Sequence, residues 1–558
     1  MSPPSKNAGF VVPEQTAQVA RAAFPGGTPY IVLRDQIGVV FTDGDFVDLY
    51  PGRGQPGYPA WRLALVTLMQ FREGLSDGQA AEAVRARMDW KYLLALALAD
   101  PGFDYSVLCE FRSRLLEHDA EGRLLGRVLD AARSAGLLKE RGRQRTDSTH
   151  VLGALRVLNR LELVGETLRA ALNAIAAAEP DWLRAVAPAD WYKRYGRRIE
   201  DMRLPDTEPK RDAYARQIGA DGFRLLDVVE ASDAPARLSV LPALSILRRV
   251  WARHFARQQP PASGPDGSGT EVRLRELRGR GTGDDRVETP YEVQARFRAK
   301  SGMHWTGYMV HLTETCDAGA PHLILHTDTT PADVHEARRT SPIHAGLAAK
   351  GLLPSEHLVD SAYVSAELLV EARQRHGIDL VGPARRSMAW QRRVDGGFDQ
   401  ADFVVDWSTR QVRCPERKMS RHWHDYNDKR LGRFVKVRFD PADCTPCPSR
   451  ARCTRTKAGG RQLSLHGREE HDALVAARAR ENTDAGRNLY AQRQGVEGTL
   501  AQGVHSFGLR RSRYRGLAKT RLQHIASAAA LNLDRLGAWL VGRTLAQTHT
   551  SRFARLVA

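Results

Sequence analysis

Tyr490, Arg493 and Glu497 stand three and then four positions apart near the C-terminal end of the chain. On a continuous helix they would share one face. A carboxylate, a guanidinium and a phenol on one face suit a metal-dependent phosphate site. The carboxylate holds the cation, the Arg pairs with phosphate, and the Tyr packs against it. An exposed helix with an ordinary Arg–Glu pair one turn apart would carry the same residues. Two further acids stand out by context: Asp147 in the polar, β-tolerant stretch 139–151, and Asp360 at the end of the apolar run His357-Leu358-Val359. Phosphodiester chemistry uses two divalent cations about 3.5–4 Å apart, one activating the nucleophile and one stabilising the leaving oxygen. Mg²⁺ is hard and prefers carboxylate oxygens. Among 65 Asp and Glu residues no single acid is specific, and Asp379, Asp406 and Glu371 would serve on composition alone.

A second constellation is built from sulfur. Cys444 and Cys447 form a Cys-x2-Cys pair, Cys453 follows, and Cys414 precedes them. This spacing suits thiolate knuckles around one structural Zn²⁺, with His422 and His424 as alternative ligands. Reduced thiols in a small β-rich insert are the plainer alternative. A catalytic cysteine does not fit, because no partnered His and Asn can be placed. The loop Gly279-Arg280-Gly281-Thr282-Gly283 lacks the strand and helix of a dinucleotide fingerprint and reads as a basic loop.

These residues need elements to hold them. Residues 1–58 are mixed and offer no chemistry. A helical block covers 59–136, with Leu65, Leu68 and Met69 on one stripe, Ala80, Ala83 and Val84 on the next, and a third helix from near Asp104 bearing Arg112 and Arg114. Two helices joined by the Gly74-Leu75-Ser76-Asp77 break, followed by an Arg-bearing helix, read as helix-turn-helix-like. Residues 137–151 supply strand around Asp147. Residues 152–270 form a helical insertion ending in a Pro/Gly/Ser linker at 259–269. Strands are expected at 307–313 and 322–327, a helix at about 334–350, and then strand, Asp360, helix and strand through 382. An acid at the C-terminal end of a strand sits where α/β folds place ligands. Residues 384–475 form a β-rich insertion with the cysteines. The Glu497 helix, the basic run 509–516 and a C-terminal helix occupy 476–545.

Composition frames the partners. A chain of 558 residues with 42% apolar content implies several folded domains. The formal charge is +18, and Arg outnumbers Lys several-fold. Arg binds phosphate bidentately, so a polyanionic partner is expected. No run of about 18 apolar residues appears, and the N-terminus lacks a signal-peptide core. Six cysteines in so long a chain suit a reducing cytoplasm.

The motifs carry a resemblance. Tyr490-x2-Arg493-x3-Glu497 resembles the signature around the last acid of bacterial insertion-sequence DDE transposases. Asp147-Ser148-Thr149-His150-Val151 resembles their first-acid region, and Asp360-Ser361-Ala362-Tyr363 their Asp-x-x-Tyr second-acid motif. The family numbered eleven eighty-two, related to the IS-five and IS-four groups, is the one it most resembles, from about residue 55 to 540. Related groups place Lys or Arg seven residues after the Glu. Here that position is Val504, with His505 beside it, which leaves the role to Arg510 or Arg511.

The resemblance implies an α/β protein with an RNase H-like catalytic core, interrupted by the helical and the cysteine-containing β-rich insertions and preceded by the all-α region. It implies Asp147, Asp360 and Glu497 as ligands of Mg²⁺ or Mn²⁺, cleavage at element ends, and attack of the freed 3′-hydroxyl on target DNA. Tyr490, Arg493, Arg510, Arg511, Arg513 and Arg515 would contact DNA near the reaction, and Arg112 and Arg114 would read sequence. The expected partners are double-stranded DNA, as terminal inverted repeats and target, and further copies of the chain in the end complex. The expected location is the cytoplasm, at the nucleoid when DNA is bound. An RNase H-like nuclease without strand transfer and an inactive DNA-binding descendant are the alternatives.

Overall fold

A computed structural model describes residues 9–202, 204–258, 271–277, 286–300, 302–384, 389–428, 432–543 and 556. The linker at 259–269 and the glycine-rich loop at 279–283 lie outside the described residues. The protein is mixed α/β.

The N-terminal part is helical. Helices α1 (Ala60–Glu73), α2 (Asp77–Ala86), α3 (Ser106–Glu117) and α4 (Gly122–Ser134) follow the apolar stripes. Gly74 ends α1 in the left-handed conformation at φ +70°. The Ser76 hydroxyl then accepts from the Gln79 N–H, while the Gln79 side chain accepts from the Ser76 N–H, a reciprocal cap that starts α2. Upstream, helices Glu14–Ala23 and Pro29–Ile37 belong to the folded body, and Tyr30, Phe41 and Phe46 are buried.

A sheet occupies the centre. Its strands are β1 (Gln144–Leu152), β2 (Met303–Thr315), β3 (Ile324–Pro331), β4 (Glu356–Val359) and β5 (Asp379–Val381), in the order β3-β2-β1-β4-β5. Strand β2 is antiparallel to β1 and β3, whereas β1, β4 and β5 are parallel. A further strand, Arg296–Lys300, pairs with the start of β2. The register sets Thr146 opposite Val359, so Asp360 leaves β4 beside Asp147. The expected strand at 322–327 runs later, as β3.

Helix α5 (Arg160–Ala178) opens the long, mainly helical segment between β1 and β2. Its Asn159 cap and Glu162 satisfy each other's N–H groups. With α6 (Glu208–Glu230) and α7 (Pro242–His254) it encloses a core of its own, including Val164, Leu168, Ile218, Leu247 and Trp251.

The helix expected at 334–350 is divided. A 3-10 turn, Glu336–Arg338, precedes α8 (Thr340–Ala349). The buried Glu336 carboxylate accepts from Arg298 at 2.7 and 2.8 Å and from Lys300 at 3.0 Å. These bonds draw the chain onto the sheet before α8 begins. Helix α9 (Ala366–His376) starts where the Ser365 hydroxyl accepts the Leu368 N–H and ends at Gly377, in the left-handed conformation at φ +61°.

The cysteine-containing segment is β-rich. Strands β6 (Val404–Asp406) and β7 (Gln411–Arg413) form one pair, and β8 (Ser420–Asp428), β9 (Gly432–Phe439) and β10 (Gln462–His466) form an antiparallel sheet. Val435, Val437, Phe439, Leu463 and Leu465 line its small core. Helices α10 (Arg468–Glu481), α11 (Asp484–Ala491), α12 (Gly495–Phe507) and α13 (Leu517–Leu540) complete the chain.

Helix α13 packs on α1, α4 and β3. One apolar core therefore runs from the N-terminal helices through α13 to the sheet. The helical block at 59–136 is joined to the sheet through shared buried side chains. Among the described residues no helix is long and apolar enough to cross a membrane.

Candidate active site

Asp147 sits in the middle of β1 and is one-fifth exposed. One carboxylate oxygen accepts the Ser148 N–H at 2.7 Å and the other accepts Arg493 Nη1 at 2.9 Å. Arg493 Nη2 donates to Glu497 Oε1 at 2.9 Å, and the guanidinium lies 5.9 Å from the Tyr490 ring centre. Asp360 caps the turn that follows β4, accepting the Ser361 N–H at 2.6 Å.

Burial raises the Asp147 carboxyl above its ordinary value, and the Asp360 charge adds to that, against the Ser148 N–H and Arg493. Tyr490 is raised by burial first, with Asp360 and Asp147 contributing. Burial pulls Arg493 down, but Asp147, Tyr490 and Glu497 outweigh it and leave the guanidinium above its usual value. The five residues form one electrostatic cluster beside the central strand β1 and the end of β4.

The cluster does not lie on one helix. Tyr490 is on α11, Arg493 is in a 3-10 turn, Gln492–Gln494, and Glu497 is on α12. The break has a cause. Arg145 Nη1 donates to the Gln492 carbonyl at 2.6 Å, and Arg143 Nη1 to the Gln492 side chain at 2.8 Å. Gly495 makes the approach possible, since a Cβ there would lie 2.0 Å from Arg145 Nη1.

Arg145 belongs to a buried network that the sequence reading missed. It pairs with Glu314, which is fully buried and directly opposite it on β2. Glu314 also accepts from Thr499 at 2.6 Å and from Arg535 at 2.9 Å. These bonds tie β1, β2, α12 and α13 together beneath the cluster. The available signal was Arg145 two residues before Asp147, on the same face of the strand. Its partners lie far along the chain and emerge only from strand register.

Tyr363 of the Asp-x-x-Tyr motif is buried, and its hydroxyl meets His311 Nδ1 at 2.6 Å. Burial lowers His311 to about 4, so the ring is neutral at pH 7, and burial raises Tyr363 well above its usual value.

The basic tail divides. Leu152 N–H donates to the Arg510 carbonyl at 2.8 Å and Ser512 N–H to the Leu152 carbonyl at 2.9 Å, so the tail pairs with the end of β1. Arg510 Nε donates to Thr149 Oγ1 at 2.9 Å, two residues along the strand from Asp147. Val504 packs against the core and His505 is exposed, so Arg510 is the tail cation brought to β1. Arg511 and Arg515 are exposed and make no ion pair among the described residues. Arg513 turns towards α1, 5.3 Å from the Phe71 ring and bonded to the Gly74 and Leu75 carbonyls.

Arg112 and Arg114 are not placed as the helix-turn-helix-like reading expects. Arg112 is buried, ion-paired with Asp77 at 2.6 Å, bonded to Gln70 at 3.2 Å and 5.7 Å from the Tyr514 ring. Arg114 lies 4.7 Å from the Tyr50 ring and donates to the Leu49 carbonyl at 3.3 Å. Arg112 faces the core, whereas Arg114 is partly exposed, paired with Glu110 and laid over the Tyr50 ring.

Cys414, Cys444, Cys447 and Cys453 line one cavity of about 30 Å³. Backbone N–H groups of Lys418 and Arg461 point at the Cys414 and Cys444 sulfurs at 3.3 and 3.5 Å. Burial, opposed by Arg461 and reinforced by the other three thiols, raises Cys453 to about 11. Among the described residues no group of three or more His, Cys, Asp and Glu side chains already stands as a metal-holding set. That holds for the thiols and for the three acids. At the acids, the positive charge between Asp147 and Glu497 is that of Arg493.

Residues 413–537 match the family described as Transposase DDE domain. Residues 18–114 match the family described as Transposase domain (DUF772). The first match takes in the four cysteines, Tyr490, Arg493, Glu497 and the basic tail, and the second takes in α1, α2 and most of α3. No curated protein matches the chain. Matches to two transposase families, one towards each end of the chain, indicate a transposase of the DDE type.

Proposed function

We propose that the protein is the DNA transposase of an insertion sequence of the family numbered eleven eighty-two. It cuts DNA at the element ends and joins the freed 3′-hydroxyls to target DNA. The observation that carries this reading is the approach of three acids from distant parts of the chain: Arg493 bridges Asp147 and Glu497, and Asp360 leaves β4 beside Asp147. The strand order β3-β2-β1-β4-β5 with only β2 reversed supports an RNase H-like core. Under this reading residues 152–270 and 384–475 are insertions into that core.

The donor set fits a hard cation. It is all carboxylate oxygen, Asp147 and Asp360 repel each other, and the place between Asp147 and Glu497 already attracts positive charge. Mg²⁺ or Mn²⁺ held by Asp147, Asp360 and Glu497 would supply nucleophile activation and stabilisation of the leaving oxygen. The protein's own groups orient the DNA. Arg493, released from the carboxylates, is free to pair with a phosphate, with Tyr490 behind it. Arg510, anchored on β1, holds a neighbouring phosphate, and Arg511 and Arg515 extend the track. Water serves as nucleophile for cleavage, and the 3′-hydroxyl takes its place for joining. We further propose double-stranded DNA and other copies of the chain as partners, the cytoplasm as location, and one structural Zn²⁺ on the four cysteines of the insert.

The test is cleavage of element-end DNA with Mg²⁺ or Mn²⁺. Asp147→Ala, Asp360→Ala and Glu497→Ala should each abolish cutting while end binding persists, because binding rests on dispersed cations. Near wild-type cutting by any of the three removes that residue from the site. Joined products separate a transposase from a nuclease of the same fold.

A further inference from the structure

The outer face of the β8-β9-β10 sheet carries a pattern that the candidate active site does not use. Side chains alternate across the sheet. Val435, Val437, Leu463 and Leu465 point to the small core. The opposite face is built in three rungs set by the register. His422 lies opposite Arg438, and Arg438 opposite Gln462. His424 lies opposite Lys436, and Lys436 opposite Ser464. Tyr426 lies opposite Phe434, and Phe434 opposite His466. His422, His424, Tyr426, Arg438, Gln462, Ser464 and His466 are exposed.

No acid occupies any of these rungs. Asp428 lies one rung beyond, opposite Gly432, and Glu470 at the rim meets His466 at 3.2 Å. Lys436 and Arg438 make no ion pair among the described residues. The rings of Tyr426 and Phe434 stack at 5.3 Å and 9°, and Lys436 Nζ lies 4.8 and 5.6 Å from their centres. His422 and His424 stack at 6.1 Å. A solvent-facing sheet surface ordinarily mixes both signs of charge and avoids stacked aromatics. This one offers cations in register beside two partly exposed rings. Rungs two residues apart stand about 6.8 Å from one another, so Lys436 and Arg438 can meet separate phosphates.

We propose that this face of the cysteine-containing insert is a DNA-backbone docking surface, with Lys436 and Arg438 on phosphates and the Tyr426–Phe434 pair against the sugar and base edges beside them. The proposal rests on the transposase reading and adds a contact outside the carboxylate cluster and the basic tail. Its occupant is double-stranded DNA, chosen by charge complementarity with a face that has two unpaired cations and no acid on its rungs.

The experiment uses the full-length protein and a fluorescent random-sequence duplex, with affinity read by anisotropy from 50 to 300 mM KCl. Lys436→Glu with Arg438→Glu should weaken binding at least tenfold at 100 mM KCl. It should also flatten the plot of log affinity against log salt by about two units, near 0.9 per lost phosphate contact. Tyr426→Ser should weaken binding with the slope unchanged. Lys436→Arg with Arg438→Lys should bind as wild type, which reports that the sheet is intact. A control pair on the helical insertion, Lys193→Glu with Arg237→Glu, should leave binding within about twofold. Loss in the control equal to that in the test pair would show a net-charge effect and overturn the proposal. So would unchanged affinity and slope in the test pair while wild type binds and cuts DNA, and then the transposase reading survives. A wild-type protein that neither binds nor cuts DNA overturns both.

Discussion

Glu497 is the most exposed member of the carboxylate cluster, and what places it is a residue without charge. Gly495 starts α12 and lets Arg145 lie against the helix end, where Arg145 holds the Gln492 carbonyl and Glu314. The Arg145 guanidinium is pinned by these partners and by His322 at 3.1 Å, so it cannot yield to a new methyl group. Gly495→Ala should therefore shift α12 and separate Glu497 from Asp147. We expect at least a tenfold loss in cleavage rate with DNA affinity within about threefold of wild type, since most of the proposed cationic contacts lie on the tail, away from Gly495. Unchanged cleavage would show that Arg145 can move and that the network does not set the site.

At the scale of elements, two arginine-bearing segments that look alike in sequence do opposite work. Arg112 on α3 is buried in an ion pair, and Arg511 and Arg515 on the tail are exposed. Arg112→Ala should cost about 2–4 kcal/mol in urea unfolding, because Asp77 is left without its partner. Arg511→Ala with Arg515→Ala should leave stability within about 0.5 kcal/mol and lower the salt dependence of DNA binding by about two units. A stable Arg112→Ala protein with relaxed sequence preference would return α3 to the role of sequence reader. The cysteine insert gives a second element-scale expectation. Its four thiols share one cavity and two receive backbone N–H groups, so protein purified without chelator should carry about one Zn²⁺ per chain. Metal well below one equivalent would leave the thiols as reduced core residues.

Across the whole molecule, burial has left many histidines uncharged. It lowers His254, His311, His326 and His344 to about 4 and His524 to about 3, and holds His357 well below its usual value. Each is neutral in the folded state and takes up a proton near pH 6.5 when unfolded. The stability they allow is complete above about pH 6.5 and is lost as pH falls towards 4. Asp147 and Asp534 act in the opposite direction, since burial raises both carboxyls. The histidines are more numerous, so the midpoint of thermal unfolding should fall steeply between pH 6.5 and 4.5. A flat midpoint over that window would mean that the rings reach water or a partner when protonated.

What the amino-acid sequence determined by itself was local. The break at Gly74-Leu75-Ser76-Asp77, the strand ending in Asp360 and the stripes of α1 and α2 follow from residue type and period, which act over a few positions. The three acids were legible as motifs for the same reason. Tertiary structure decided what depends on distant partners. The Tyr490–Glu497 segment breaks because Arg145 and Arg143, far upstream, capture Gln492. The helix expected at 334–350 divides because Glu336 reaches Arg298 and Lys300 on a neighbouring strand. Arg112 is buried because Asp77 and Tyr514 meet it there. A guanidinium reads the same in sequence whether it faces water or a carboxylate, and only the packing of elements remote in the chain says which.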